Sequence, residues 1–326
     1  MRGERKTMNR MLNKYCPRIE FSSYEDLKEN FTINVPENFN FGYDIVDGWA
    51  ADEPDKLALL WTNDAGDMKS YTFSDVKRLS DQSANFFKSQ GINKGDVVML
   101  ILKQRPEVWF SMVGLCKLGA TCIPATYQLT PKDIYYRCNA AGVKMIVSVS
   151  DPEIVGHIRA ALPECEDPPV VATLGPEAYP DEGFLDYGVG LYAASADWTR
   201  PTGEDAVTND DRMLIYFSSG TTGMPKMVWH DFAFPLGHIT TAKYWQQVRE
   251  NTVHLTQSDS GWAKFAWGKI YGQWICGAAV GAYDTEKFHP HDMLEAIIRL
   301  HPTTFCAPAT IYRFLIKEDL SGYDLS

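Results

Sequence analysis

An α/β fold built from doubly wound βαβ units is predicted by three features of the sequence. Apolar runs of strand length alternate along the chain with stretches of helical spacing. The runs are continuous rather than alternating, as in Asp96-Val-Val-Met-Leu-Ile-Leu102 and Lys144-Met-Ile-Val-Ser-Val149, the pattern of strands covered on both faces of a parallel sheet. The 326 residues are 45% hydrophobic and 22% charged, enough for a substantial core.

The elements follow in order. Residues 1–40 read as an N-terminal arm. It is basic (Arg2, Arg5, Lys6, Arg10, Lys14 and Arg18 against Glu4) and lacks the apolar stretch of a secretory signal. A solvated arm is expected, with an organelle presequence as the weaker alternative. Residues 41–174 form a first α/β part. Its elements are a helix over 39–51, strands at 57–61 and 71–73, and a helix from Asp75 to Gln90 with Ser74 as N-cap and Gly91 as stop. A strand over 96–102, a helix from Pro106 to Leu118 and a strand over 119–124 follow. Thr130 caps a helix over 131–141; then come a strand at 144–149, a helix near 152–162 and a strand near 169–173. Residues 175–210, rich in Gly, Pro, Asp and Tyr, read as a long surface connection. Residues 211–326 resume the rhythm: strands at 213–217, 226–229, 253–256, 278–283 and 303–306, and helices over 231–249, 265–277, 291–300 and 309–318.

The formal net charge of −11 argues against nucleic-acid or anionic-membrane binding. No run of eighteen apolar residues suggests a membrane span. The seven cysteines are scattered and show neither CxxC nor metal spacing, so buried thiols in a reduced, cytoplasmic setting are expected. His289, His291 and His301 are not spaced as zinc ligands.

The most informative stretch is Ser218-Ser-Gly-Thr-Thr-Gly-Met-Pro-Lys226, flanked by two strand-like runs. Ser218, Ser219, Thr221 and Thr222 supply hydroxyls, Gly220 and Gly223 admit φ > 0 and close backbone approach, and Lys226 supplies a cation. Together they suit phosphate oxygens. A plain polar turn needs fewer hydroxyls. A Walker P-loop needs Ser or Thr after the lysine and a helix beyond it, whereas Met227 and a strand follow here. His230 closes the stretch and suits either the nucleotide or a packing role.

A second stretch is Asp259-Ser-Gly-Trp-Ala-Lys-Phe-Ala-Trp-Gly-Lys269. By composition alone, Trp262, Phe265 and Trp267 read as the aromatic face of a core helix. Lys264 and Lys269 are cations that would attract a carboxylate.

The nine residues 218–226 resemble the phosphate-binding signature of the adenylate-forming superfamily of acyl-CoA synthetases, adenylation domains and luciferases. Asp259-Ser-Gly-Trp262, Gly119-Ala-Thr-Cys-Ile-Pro-Ala-Thr126 with Leu129-Thr-Pro-Lys-Asp-Ile134, and Cys306-Ala-Pro-Ala-Thr-Ile-Tyr-Arg313 resemble the medium-chain acyl-CoA synthetases in particular. The likeness covers roughly residues 40–320 and implies the fold of the superfamily's large N-terminal domain. It implies that Ser218, Ser219, Gly220, Thr221, Thr222, Gly223 and Lys226 hold the ATP phosphates, and that Trp262, Lys264, Phe265 and Gly268 line an acyl pocket. It implies ATP, Mg2+ and CoA as reactants beside a small-molecule carboxylate. The family's aromatic-Gly-x-Thr-Glu and Thr-Gly-Asp elements and its C-terminal lysine are not found before Ser326. The expectation is therefore a domain incomplete at its C-terminus, inactive alone, with no metal ligand in this chain and an open sheet edge that favours homo-oligomers. Acetyl-CoA synthetase, a peptide-synthetase adenylation domain and a non-catalytic nucleotide-binding protein stay open as alternatives.

Overall fold

The computed structural model describes residues 10–177, 179–218 and 223–325. The described strands are β1 (Leu57–Asn63), β2 (Met68–Thr72), β3 (Val97–Ile101), β4 (Thr121–Pro124), β5 (Val143–Val149), β6 (Val170–Leu174), β7 (Leu185–Asp186), β8 (Arg212–Ser218), β9 (Lys226–Asp231), β10 (Val253–Thr256), β11 (Ala279–Asp284) and β12 (Thr304–Cys306). They form two sheets, β7-β6-β5-β3-β4-β8-β9 and β12-β10-β11-β1-β2. Pairing is parallel except at two edges, where β2 runs against β1 and β9 against β8. β3, buried along its whole length, sits between β5 and β4, as the continuous apolar run requires. The fold is α/β and parallel-rich, as expected, but in two sheets. Both sheets draw on both halves of the sequence: β1 pairs with β11, and β4 with β8.

Local chemistry sets the boundaries. Thr130 and Asp133 form a reciprocal capping box at the start of helix Pro131–Ala141. The helix expected from Ser74 begins two residues earlier. Thr72 is the N-cap and Asp75 its box partner, because this register buries Phe73. Gly119, at φ 82°, ends the helix Glu107–Leu118 in the left-handed conformation.

Three expectations are corrected. The arm is not simply solvated: Arg10–Tyr15 is helical and buries Met11, Leu12 and Tyr15, with Tyr15 edge-on to Phe39 at 5.6 Å. One apolar face on six residues is too short to stand out among the basic residues. The connection 175–210 contains β7 and a helix, Tyr187–Ala193. Its Tyr187 hydroxyl is buried between Ser111 (2.6 Å) and Ser83 (3.3 Å). Gly190 allows that approach, since a Cβ there would lie 2.4 Å from the Phe86 ring. The helices expected over 231–249 and 265–277 are each broken. Asp231 ends β9 and its carboxylate accepts the Ala233 and Phe234 N–H groups before the helix Phe234–Thr240. Ile270, at φ −139°, separates Ala263–Lys269 from Tyr271–Ile275.

Tryptophans join the two layers. Trp49 donates to the Trp274 carbonyl (2.7 Å), Trp274 to that of Ala58 (2.9 Å), Trp61 to that of Gln104 (2.9 Å) and Trp109 to that of Lys269 (2.9 Å). Lys117 is fully buried and paired with Asp81 (2.6 Å) and Asp47 (2.7 Å). All seven cysteines are free thiols, six of them buried.

Candidate nucleotide and acyl site

The site lies where the carboxyl ends of strands from both sheets converge, the usual crevice of open α/β sheets. β8 and β9 pair antiparallel up to Ser218 opposite Lys226, so the two ends of the phosphate-like loop are fixed side by side. Ser219, Gly220, Thr221 and Thr222 lie outside the described residues. Gly223 has φ 133°, a conformation that favours glycine. Lys226 is exposed.

Beneath Ser218 opens a cavity of about 390 Å3, walled by Phe217, Ser218, Arg137, Gly261 and Trp262 among others. Trp262, 66% exposed, is therefore a lining residue. Of the other expected acyl-pocket residues, none lines this cavity. Phe265 is fully buried against Trp109, with ring centroids 5.0 Å apart. Gly268 packs under Thr256, where a Cβ would lie 2.8 Å from its methyl. Lys264 reaches over the Trp267 ring at 6.0 Å. These three serve the helix and its packing, as the composition alone suggested for the aromatic stretch. His230 stacks on Phe234 with centroids 3.9 Å apart and is a packing residue; burial lowers its pKa.

Two residues of this site went unassigned in the sequence. Arg137 holds its guanidinium 4.9 Å from the Phe217 ring centre and bonds the Asp133 carbonyl (2.9 Å); burial lowers its pKa. Its i,i+4 spacing from the capping Asp133 was the available signal. Asp259 accepts the Gly261 N–H (2.7 Å) and the Thr126 hydroxyl (3.2 Å). Burial raises its pKa, opposed by those hydrogen bonds. This clamp presses the 259–262 turn onto the exit of β4, where a Cβ on Gly261 would lie 2.0 Å from the Thr126 nitrogen. Trp262 is thereby positioned.

A smaller cavity of about 190 Å3 adjoins at Trp262, walled by charged and amide side chains (Lys103, Gln104, Asp284 and Glu286 among them) and by the rings of Tyr127, Trp262 and Phe288. Behind Gln104 stands Lys269, fully buried, its ammonium donating to the Gln104 side-chain oxygen. Burial pulls its pKa from 10.5 to about 7, with Asp284 opposing the fall. Asp284 is gripped by Arg105, yet burial raises its pKa. Lys103 binds Glu286 at 2.5 Å. Among the described residues no three His, Cys, Asp or Glu side chains are grouped to hold a metal, and no helix is long and apolar enough to cross a membrane.

Comparison with known proteins agrees with the α/β fold. The chain is 32% identical over 318 residues to acyl-coenzyme A synthetase ACSM3, mitochondrial, of Pongo abelii, covering 95% of this chain and 53% of that protein. It is 33% identical over 297 residues to acyl-coenzyme A synthetase ACSM4, mitochondrial, of Homo sapiens, covering 89% and 50%. The crystal structure of Brucella canis acyl-CoA synthetase superposes with a TM-score of 0.74 at 25% identity, over 85% of this chain and 49% of that one. The chain thus spans about half the length of the relatives it matches. The model of the AMP-binding enzyme family matches residues 46–326, and the chain belongs to that family.

Proposed function

We propose that this chain carries the ATP-phosphate and acyl-binding part of an AMP-forming acid–thiol ligase. The observation that carries the reading is the convergence of Ser218, Arg137 and Trp262 on one crevice at the strand ends, with Lys226 held opposite Ser218 at its rim by the β8–β9 pairing. In the reaction, a carboxylate oxygen attacks the α-phosphorus of ATP and pyrophosphate leaves. The CoA thiol then attacks the acyl-adenylate and AMP leaves. Such phosphorus chemistry asks the protein chiefly for positioning and charge stabilisation. Residues 218–223 and Lys226 hold the departing pyrophosphate, and Arg137 adds a cation beside Ser218. Trp262, fixed by the Asp259–Gly261 clamp, covers the acid. Magnesium enters with ATP, and no residue of this chain is assigned to it.

The acid is of short or medium chain or aromatic, in keeping with a cavity of about 390 Å3. The relatives' names place them in mitochondria. The free thiols fit the mitochondrial matrix as well as the expected cytoplasm, and we favour the matrix on the strength of those names.

Carboxylate-dependent ATP–pyrophosphate exchange tests the reading, with acetate, butyrate, octanoate and benzoate. Exchange with one acid establishes the first half-reaction in this chain and names the substrate. Phosphate-loop binding of ATP without exchange favours a nucleotide-binding role. Absence of both overturns the assignment of the 218–226 loop.

A further inference from the structure

Of the described residues that wall the cavity beneath Ser218, Arg137 alone is charged. Ala125, Leu129, Phe217 and Trp262 give the cavity apolar and aromatic walls. The lysines expected to attract a carboxylate stand elsewhere: Lys264 reaches over the Trp267 ring, and Lys269 is buried behind Gln104. Arg137 is held at the crevice from two sides. Its neighbour Tyr136 donates to the Pro225 carbonyl at 2.9 Å, which ties the helix Pro131–Ala141 to the hairpin of β8 and β9. Its guanidinium lies over the Phe217 ring, 4.9 Å from the centre.

The charge of Arg137 is only partly answered. Nη1 donates to the Asp133 carbonyl at 2.9 Å and to the Asp133 Oδ1 at 3.3 Å. That carboxylate is shared with the helix cap, where its Oδ2 accepts the Thr130 hydroxyl at 2.7 Å and the Thr130 N–H at 3.2 Å. The Nε and Nη2 groups donate to none of the described residues, and the side chain keeps 12% of its surface accessible. A guanidinium fork left open at the wall of an apolar cavity calls for an anion, and its parallel donors match the two oxygens of a carboxylate. A triphosphate would set several charges against apolar walls with one cation to answer them. A fatty or aromatic acid brings a single charge and a tail suited to Ala125, Leu129 and Trp262.

We infer that Arg137 receives the carboxylate of the acid on its Nε and Nη2 donors, with the tail running toward Trp262. The inference rests on the ligase reading and names the residue that orients the acid in that site. It sets the reacting carboxylate beside Ser218, at the start of the loop that in the same reading holds the ATP phosphates.

The test is calorimetric titration of the 326-residue chain with acids and their uncharged amides: butyrate and butyramide, octanoate and octanamide, benzoate and benzamide. In one pair the acid is expected to bind at least tenfold more tightly than its amide. Arg137→Met is expected to cut that ratio to threefold or less while the affinity for inorganic pyrophosphate changes by threefold at most. Arg137→Gln is the second variant should the first fail to fold. Amides binding as well as acids in every pair, or a preference that survives the substitution, would overturn the inference and leave the ligase reading standing. Loss of pyrophosphate affinity with the preference for acid intact would overturn it and assign Arg137 to the phosphates. Absence of binding by all six would overturn the inference, while ATP–pyrophosphate exchange decides the ligase reading independently.

Discussion

Replacing Lys269 with methionine is expected to stabilise this protein at slightly acid pH. The side chain is fully buried, between the rings of Trp109 and Phe265, whose centres lie 5.7 and 5.6 Å from its nitrogen. A fall in pKa from 10.5 to about 7, at about 1.4 kcal/mol per pH unit, means roughly 5 kcal/mol against keeping the charge inside. Methionine matches the volume and removes the charge. It also leaves the Gln104 oxygen unpaired, which costs about 1–3 kcal/mol. The net gain at pH 6.5 is about 2–4 kcal/mol. The sign follows from proton binding: the unfolded chain keeps its lysine proton to about 10.5, the folded chain releases it near 7. Between those values the unfolded state binds more protons, so wild-type stability rises with pH. The advantage of Lys269→Met should therefore shrink by roughly 2 kcal/mol between pH 6.5 and 8.5. Urea unfolding of both proteins at the two pH values, followed by tryptophan fluorescence, measures it. A variant less stable than wild type at pH 6.5, or a difference independent of pH, would refute the reasoning and mean that Asp284 keeps the ammonium charged.

Other substitutions test other parts. Lys117→Met strands Asp81 in the core with only the partly exposed Lys77 at 2.6 Å, and should destabilise by about 3–5 kcal/mol in urea unfolding. Gly261→Ala puts a methyl into the backbone at Ala125 and Thr126; it should lower affinity for any acid at least tenfold by calorimetry while far-UV circular dichroism stays unchanged. Tyr187→Phe removes the hydroxyl that bridges Ser83 and Ser111 and should cost about 1–2 kcal/mol of stability.

Much of the fold was legible because its signals are local. The Thr130–Asp133 box, the continuous strand 97–101 and the pair of strands around residues 218–226 are each written within a few residues. The split into two sheets was not, because the partner of β1 is β11, far along the chain, and apolar runs do not say which neighbour they choose. The site divides the same way. Ser218 and Lys226 stand together because one hairpin holds them. Trp262 and Phe265 share a stretch, but helix geometry turns the second toward Trp109, and spacing alone does not say which face meets the cavity. Arg137 at the larger cavity, and Gln104 and Asp284 at the smaller one, come from distant parts of the chain, and only folding brings each to its cavity. Lys269 was read as a cation for a carboxylate, whereas burial among aromatics turns it into a lysine that barely keeps its proton.

The hydrogen bond from Trp49 to the Trp274 carbonyl spans 225 residues of sequence. On a ribosome adding about 5–20 residues per second, that interval is roughly 11–45 s. Within it the strands from β3 to β7 are made and can pair with one another as soon as β7 is complete. β1, with its buried Ala58, Leu59 and Trp61, has only the polar strand β2 beside it until β11 emerges. The nascent chain therefore carries an apolar strand and a bare tryptophan until β11 has been made, the kind of surface on which chaperones act. The strands of the larger sheet, up to β9, are all made before β10, β11 and β12 of the smaller one, so the crevice between the sheets comes into being only after residue 284 has joined β11 to β1.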